Sequence, residues 1–366
     1  MTKATVCHVS PLSIHVYRWM KAFVQRGYNI SLISDSRAWV APKPKSIQVY
    51  ALPTLRKTNF AQQFIPNSLK IVRILERINP DFIHLHVQHH YSLPIILTRH
   101  PYILTSWGVE VLSLPDADIL IRSVARMTSM KAHRIIVDAH CLKDIWIRTG
   151  VPQHKIEVIP FGVDLNIFNP DVDGSNVRRK LGIKENDTVI ISTRALFNNH
   201  YNIECLLHSI PIVLEKCGNV KFIIKGAGPL ESQLRNLVDA LGVSEHVRFV
   251  GLVSHPEVAQ YLAASDIYVS TPFIDSTSVS LLEAMACGLA PIVTDILGNR
   301  EWIENGTNGF LFPPRNSQML AEKIIQLIEN KDARKRFGER CIRIVRQKAS
   351  WENCVDRMEA IYQSLL

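Results

Sequence analysis

Two carboxylates, Asp275 and Glu283, flank a hydroxyl-rich turn, Ser276-Thr277-Ser278-Val279, that runs into a helix-forming stretch, Leu281-Leu-Glu-Ala-Met-Ala286. Backbone N–H groups at a helix start, together with the helix dipole, form an anion site. Carboxylates beside such a site suit hydroxyl-bearing ligands rather than phosphate alone, and a phosphate flanked by hydroxyls means a sugar nucleotide. A plain capping role for Asp275 is the alternative. Arg194 ends an apolar run, Val189-Ile-Ile-Ser-Thr-Arg194. There a permanently charged guanidinium would face a crevice and meet a diphosphate.

The elements around these residues read as an open parallel sheet. Asp266–Thr271 is an apolar run before the turn, the helix stops at Gly288, and Ala290–Thr294 is apolar again, which is a βαβ unit. The same alternation fills the second half, with runs at Val189–Arg194, Val220–Gly226 and Val247–Gly251 and helices over Tyr201–Lys216, Leu230–Leu241, Pro256–Ala264 and Ser317–Glu329. In the first half, strand-like runs are Ala4–Val9, Asn29–Ser34, Ile47–Leu52, Asp81–His86, Tyr102–Ser106, Arg134–Asp138 and Ile156–Pro160, with a helix over Ile14–Arg26. The Pro- and Lys-rich stretch from Trp39 to Pro66 reads as a loop fit for a lid or an acceptor contact. Pro160, Gly162 and Pro170 punctuate a strand exit as a hinge between domains requires.

Three further groups invite a metal reading. His84 and His86 share a strand face and, with His89 or His90, could hold an ion. Asp116-Ala-Asp118 and Asp171-Val-Asp173 spell an acidic pair used by some metal-dependent transferases, but both lie in loop-like sequence. The expectation is that none of the three binds metal. Gly226-Ala-Gly228 is too short for a dinucleotide fingerprint.

The 366 residues suffice for two domains, and 47% hydrophobic with 20% charged residues describes a folded chain rather than a disordered one. No apolar run approaches the roughly 20 residues of a membrane span. Neither a signal peptide nor a cysteine framework is indicated by the sequence, whose seven cysteines are scattered. Charge is uneven. Residues 1–160 carry 20 Lys/Arg against 9 Asp/Glu, or +11, and the rest carry 22 against 24, or −2, summing to the +9 of the chain. Such a basic half suits an anionic membrane surface, at about 1 kcal/mol per nearby cation, or is a solvated face without a partner. Nucleic acid is disfavoured, because no basic stretch is interleaved with aromatics.

The stretch from Tyr268 to Phe312, with its acidic pair, LLEAMACG helix and NGFLF element, resembles the signature of glycosyltransferase family 4, glycosyl transferases group 1. The passage Gly150–Pro170, with Gly162, Asp164, Phe168 and Pro170, resembles that family's interdomain segment. The resemblance implies an α/β chain of the GT-B fold, two Rossmann-like doubly wound domains facing across a cleft. It implies an acceptor domain over 1–162, a nucleotide-sugar donor domain over 163–345, and a C-terminal helix, 346–366, returning to the first domain. It implies Glu283 on the ribose, the turn on the phosphates and Asp275 by the transferred sugar, where the family usually has Glu. Leu104-Thr-Ser-Trp-Gly-Val-Glu110 resembles a family run with His and Asp where this chain has Trp107 and Glu110. Glu110 is thereby a catalytic candidate beside Asp275 and Arg194, and Trp107 a stacking surface or a core residue. His86 ends a strand that resembles the one before the family's acceptor crevice. The family pairs its arginine with a lysine where this chain has Asn199, which makes Lys225 the candidate substitute. Its usual Gly-Gly loop is replaced by Ser10-Pro-Leu-Ser-Ile-His15.

The expected activity is therefore a retaining, hexosyltransferase-like transfer from a nucleotide diphosphate sugar to an acceptor hydroxyl, in polysaccharide or glycolipid synthesis, without a metal cofactor. The expected partners are the donor, a saccharide or lipid-linked acceptor, and an anionic membrane surface. The expected location is cytoplasmic, with peripheral attachment at the inner face of the membrane. A sugar-nucleotide epimerase of the same fold and a catalytically inactive nucleotide-sugar binder remain alternatives.

Overall fold

The computed structural model describes residues 3–11, 13–34, 46–53, 60–86, 92–117 and 119–366. The chain divides into two compact units, Met1–Pro160 with Cys354–Leu366, and Phe161–Asn353. Val163 and Ser350, both in the second unit, form a parallel bridge.

In the first unit the elements run β1 (Thr5–Val9), α1 (Ile14–Gln25), β2 (Asn29–Ser34), β3 (Gln48–Ala51), α2 (Phe60–Ile78), β4 (Phe82–His86), α3 (Ser92–Ile96), β5 (Tyr102–Ser106), α4 (Val109–Leu112), α5 (Ile119–Lys131), β6 (Arg134–Val137), α6 (His140–Arg148) and β7 (Ile156–Val158). The sheet order is β3-β2-β1-β4-β5-β6-β7, with every pairing parallel. Helices cover both faces of the sheet, and β4 and β5 are buried at every residue.

Helix α2 corrects the loop reading of Trp39 to Pro66 over its last seven residues. Pro66 lies inside the helix and removes one backbone donor. The apolar period downstream, Ile71, Ile74 and Leu75, is buried and holds the helix regardless. The remainder of that loop falls largely outside the described residues, as do His89, His90 and Asp118.

The second unit runs α7 (Ser175–Lys180), β8 (Thr188–Ser192), α8 (Ile203–Lys216), β9 (Val220–Lys225), α9 (Glu231–Ala240), β10 (Val247–Gly251), α10 (His255–Ala263), β11 (Ile267–Ser270), α11 (Val279–Ala286), β12 (Ala290–Thr294), α12 (Leu297–Arg300), β13 (Phe310–Phe312), α13 (Ser317–Glu329) and α14 (Lys331–Lys348). The sheet order is β10-β9-β8-β11-β12-β13, again parallel throughout. Two cores sandwich it, one built on Phe222, Phe312 and the α8 face, the other on Phe168, Tyr268 and the α11 face. Helix α15 (Trp351–Gln363) buries Tyr362 in the first unit against Phe23 and Phe82, with ring centroids 4.2 and 4.7 Å away.

Both sheets reverse their strand order once, between β1 and β4 in the first and between β8 and β11 in the second. Open α/β sheets bind ligands at the carboxyl ends of the strands at such a switch point. Those four strand ends carry His86, Arg194 and Asp275.

Candidate functional site

In the second unit the loops after β8 and β11 are stitched together at the switch point. Thr271 Oγ1 donates to the carbonyls of Tyr201 and Asn202 at 2.7 and 2.9 Å, and Phe273 N to His200 O at 2.9 Å. Arg194 is buried there. Its Nη2 donates to Asp275 Oδ2 at 2.6 Å, its Nη1 to Ser278 Oγ at 2.5 Å and Ser280 Oγ at 3.0 Å, and its guanidinium stacks 4.1 Å over the Tyr201 ring. Tyr268 shares a hydrogen bond with Ser280 at 2.8 Å. Burial alone would lower the Arg194 pKa, but the charge of Asp275 and the neighbouring Tyr268 and Tyr201 outweigh it and hold the group above its ordinary value.

This corrects the picture of a free cation ending a strand. A buried guanidinium must find acceptors, and this one takes the Asp275 carboxylate and the first hydroxyls of α11. The charge therefore stands directly behind the helix start.

The turn itself presents backbone rather than hydroxyls. Ser276, Thr277 and Ser278 are all buried. Ser278 is the N-cap of α11 and accepts from Leu281 N at 3.3 Å, Thr277 accepts from Trp302 Nε1 at 3.3 Å, and Ser276 N donates to Asp275 Oδ1 at 3.0 Å. The first N–H groups of a helix have no partner within it, and here those are the donors of Val279 and Ser280 at the start of α11. Gly298 makes the turn's closeness possible, since a Cβ there would lie 1.9 Å from Ser276 O and 2.6 Å from Asp275 O. Gly226 and Gly228 do the same for the neighbouring loop, where a Cβ would meet Arg194 O and Leu196 O, each at 2.2 Å. The glycine pair is thus a close-packing device and not a dinucleotide fingerprint.

Glu283 faces the same region one turn into α11, nearly buried, with Oε1 2.8 Å from His255 Nε2. Phe168 packs edge-on to His255 at 4.9 Å. Lys225, at the end of β9, is close enough to feel Glu283. Burial lowers its pKa, and the Glu283 carboxylate opposes that shift. A cleft of about 270 Å³, lined by Asn199, Glu204, Phe273 and Arg315 among others, opens beside the loop after β8. A larger one of about 670 Å³ touches Thr5, Asn29 and Gln48, the first residues of three strands in the first unit. It therefore lies at the wrong end of that sheet for a switch-point ligand.

In the first unit the structure brings His86 and Trp107 together, with rings 5.2 Å apart, and His15 adds an edge contact to Trp107 at 6.3 Å. Trp107 is half-buried, so it serves neither purely as core nor as an open platform. Glu110 Oε1 accepts from Trp107 N at 2.8 Å. Burial raises its carboxyl pKa against the pull of the backbone N–H groups of Glu110 and Trp107. The Glu110 contact seen here shapes the turn after β5.

His86 is buried and belongs to a cluster that sequence reasoning assembled differently. His8, the register partner of His84 on β1, joins His84 and His86, and the three are buried within reach of one another. His8 Nδ1 and His86 Nε2 are 2.8 Å apart, His84 Nε2 lies 2.6 Å from Thr105 Oγ1, and His84 Nδ1 lies 2.5 Å from the Tyr362 hydroxyl. Nδ1 of His86 has no partner among the described residues. The His84 and His86 rings stack at 3.8 Å, only 22° from parallel. The ligand nitrogens of the three rings lie within 4.8 Å of one another. Burial holds all three pKa values below the ordinary range, that of His8 at about 3, with mutual repulsion adding to the effect at His84 and His86. Asp173 of the second acidic pair accepts from Ser175 N at 2.8 Å and Ser175 Oγ at 2.9 Å, just before α7.

Two parallel open sheets in one chain, the second carrying a helix start backed by Arg194 and flanked by Asp275 and Glu283, are the architecture of a GT-B glycosyltransferase. The sequence matches the description Glycosyltransferase Family 4 over residues 12–167 and Glycosyl transferases group 1 over residues 173–343. An uncharacterized glycosyltransferase of Methanocaldococcus jannaschii is 23% identical over 97% of this chain and 94% of its own. Sucrose-phosphate synthase from Thermosynechococcus elongatus superposes with a TM-score of 0.85 at 16% identity, covering 99% of each chain. Anabaena HepE, solved in complex with UDP, superposes at 0.83 and 20% identity over the full length of both. The structural likenesses show the fold. The chain belongs to glycosyltransferase family 4, the group 1 glycosyl transferases.

Proposed function

We propose that this glycosyltransferase moves a sugar, with retention, from a nucleotide diphosphate sugar to an acceptor hydroxyl. The observation that carries the reading is the Arg194–Asp275 pair set behind the start of α11 at the β8/β11 switch point. The diphosphate takes the N–H groups of Val279 and Ser280, Glu283 with His255 takes the ribose hydroxyls, and Asp275 lies by the transferred sugar. HepE, which shares the fold, was solved with UDP and with UDP-glucose, and this supports a nucleotide-sugar donor here.

Reaction breaks the bond from the anomeric carbon to the diphosphate oxygen and forms one to the acceptor oxygen on the same face. The acceptor proton leaves with the departing diphosphate. Positive charge rises on the sugar and negative charge on the leaving group. Arg194, Lys225 and the helix start are already arranged to meet that negative charge, and preorganised donors of this kind contribute about 3 kcal/mol each. Asp275 is committed to Arg194 at 2.6 Å, which favours a route without a covalent sugar–enzyme intermediate. The cations are the chain's own, and the proposal includes independence from added metal.

The acceptor is a saccharide or a lipid-linked saccharide, held by the first unit with Trp107, Glu110 and His86. The net charge of +11 over residues 1–160 supports work at the anionic inner face of a membrane, from the cytoplasm. Replacing Arg194 by Ala is expected to lower kcat by about 100-fold or more. Glu283→Gln is expected to raise the KM for donor with less effect on kcat, and a chelator to change neither. Wild-type kinetics in both variants would overturn the placement. Donor conversion without acceptor would point to an epimerase, and nucleotide binding without turnover to an inactive binder.

A further inference from the structure

Five buried groups in the first unit form a single run of hydrogen bonds, and the chemistry above uses only the last of them. Thr105 Oγ1 lies 2.6 Å from His84 Nε2, and His84 Nδ1 lies 2.5 Å from the Tyr362 hydroxyl. The same hydroxyl lies 3.4 Å from His8 Nε2, and His8 Nδ1 lies 2.8 Å from His86 Nε2. None of the five is more than 1% exposed. The run joins β1, β4 and β5 to the C-terminal helix α15. Burial pushes the Tyr362 phenol well above its ordinary pKa and holds the three imidazoles below theirs, so every member is uncharged. Only Nδ1 of His86 is left without a partner among the described residues, on a ring 5.2 Å from that of Trp107.

A neutral imidazole has one N–H and one bare nitrogen, so each bond in the run fixes the next. His84 stands between two hydroxyls. One must donate to it and the other must accept from it. A phenol, with a pKa of about 10, is a much stronger acid than an aliphatic alcohol and is the better donor. Tyr362 therefore gives its hydrogen to Nδ1 of His84, and the Nε2–H of His84 goes to Thr105 Oγ1. With its hydrogen spent, the Tyr362 oxygen can only accept from His8, which puts the His8 hydrogen on Nε2 and leaves Nδ1 bare. His86 must then donate from Nε2, and its Nδ1 carries a lone pair. All three rings thus hold their hydrogen on Nε2. The opposite direction, with Thr105 donating, would place all three hydrogens on Nδ1.

We propose that Tyr362 is a positioning residue for the acceptor: by donating to His84 it sets the tautomers of His8 and His86, and it leaves Nδ1 of His86 a hydrogen-bond acceptor at the carboxyl end of β4. Buried polar atoms are paired as a rule, and the partner that suits a bare nitrogen brings its own hydrogen. That partner is a hydroxyl or an amide N–H of the acceptor. A carboxylate or an ether oxygen is refused there, because two lone pairs would face one another. Tyr362 touches no substrate. Its ring is held against Phe23 and Phe82, so α15 delivers the phenol hydrogen from a fixed place. The acceptor contact rests on the reading of the first unit given above, and the tautomers do not.

The full chain, isotope-labelled at the histidine ring nitrogens, is tested by long-range proton–nitrogen correlation, which tells a protonated ring nitrogen from a bare one. The signals are assigned by their loss in His8→Gln, His84→Gln and His86→Gln. Wild-type protein is expected to show Nε2–H and bare Nδ1 at all three rings. Thr105→Val removes only an acceptor and is expected to keep that pattern at His8 and His86. Tyr362→Phe keeps the ring and removes the hydrogen, and is expected to mix Nδ1–H with Nε2–H at both. Transfer from a nucleotide sugar chosen by thermal shift to a panel of mono- and disaccharides gives a second readout. There Tyr362→Phe is expected to raise the saccharide KM about three- to tenfold and to leave the KM for the nucleotide sugar unchanged. Nδ1–H at His86 in wild-type protein, a wild-type pattern in Tyr362→Phe, or a reversal in Thr105→Val overturns the proposal. So does a stoichiometric metal ion whose removal shifts these ring signals, because the ion would stand in place of the shared hydrogens. No saccharide transfer by wild-type protein would count against the transfer reading, and the spectra alone would then decide the tautomers.

Discussion

Mild acid should unfold the first unit through its three buried histidines. His8, His84 and His86 are held neutral by burial, His8 at about 3 against an ordinary 6.5. Their folded-state pKa values lie below the unfolded one, so the unfolded chain binds more protons at any pH under 6.5. Stability is then complete above that pH and falls as the pH drops. The loss depends on the unfolded value alone so long as the folded value stays below the working pH. Going from about pH 7 to about pH 5 therefore costs about 2 kcal/mol per histidine and about 6 for three, against a typical total of roughly 5–15. Other groups titrate as well, so the informative quantity is the difference between wild type and His8→Gln, a swap that keeps a polar group facing His86. Urea unfolding followed by tryptophan fluorescence reports mainly on this unit, which holds Trp19, Trp39, Trp107 and Trp146 of the six tryptophans. His8→Gln is expected to lose about 2 kcal/mol less than wild type over that interval. An equal loss in the two proteins would refute the idea that these rings are neutral and closed to protons when folded.

Two further outcomes concern the donor turn. Asp275→Ala leaves the buried Arg194 with hydroxyl acceptors only and should cost about 3 kcal/mol in chemical denaturation. Asp275→Glu, which keeps the charge and carries the residue usual in the family, should recover most of it; equal stability of the two variants would show the pair to be inert. Gly298→Ala should displace the turn, because its Cβ would sit 1.9 Å from Ser276 O. About 1–3 kcal/mol of destabilisation is expected, together with a raised KM for donor, and unchanged donor kinetics would show that the turn does not bind it.

Much of the fold could be read along the chain because its signals are local. Apolar runs of five or six residues alternate with segments of helical period, and β2, β5, β10, β12 and α13 fall where that pattern puts them. Other helices were harder to see. Pro66 and the preceding Pro- and Lys-rich stretch hide the start of α2. Helix α14, with five arginines and three lysines in eighteen residues, looks like solvent-exposed chain until Phe337, Cys341 and Val345 are seen buried on one side.

For the site, the sequence by itself determined the parts that lie within one βαβ unit, namely the turn before α11, Asp275 and Glu283, since eight residues of one segment have little freedom to separate. It also placed Arg194 at a strand end. Only the tertiary structure decided what these groups do to one another. Arg194 reaches Asp275 across 81 residues of chain, Glu283 is met by His255 from α10, and Gly298 admits the turn from α12. His8 comes to His84 through strand register. Burial is what makes these pairings binding: a cation or imidazole removed from water takes the nearest complementary atom in space, wherever that atom lies in the sequence.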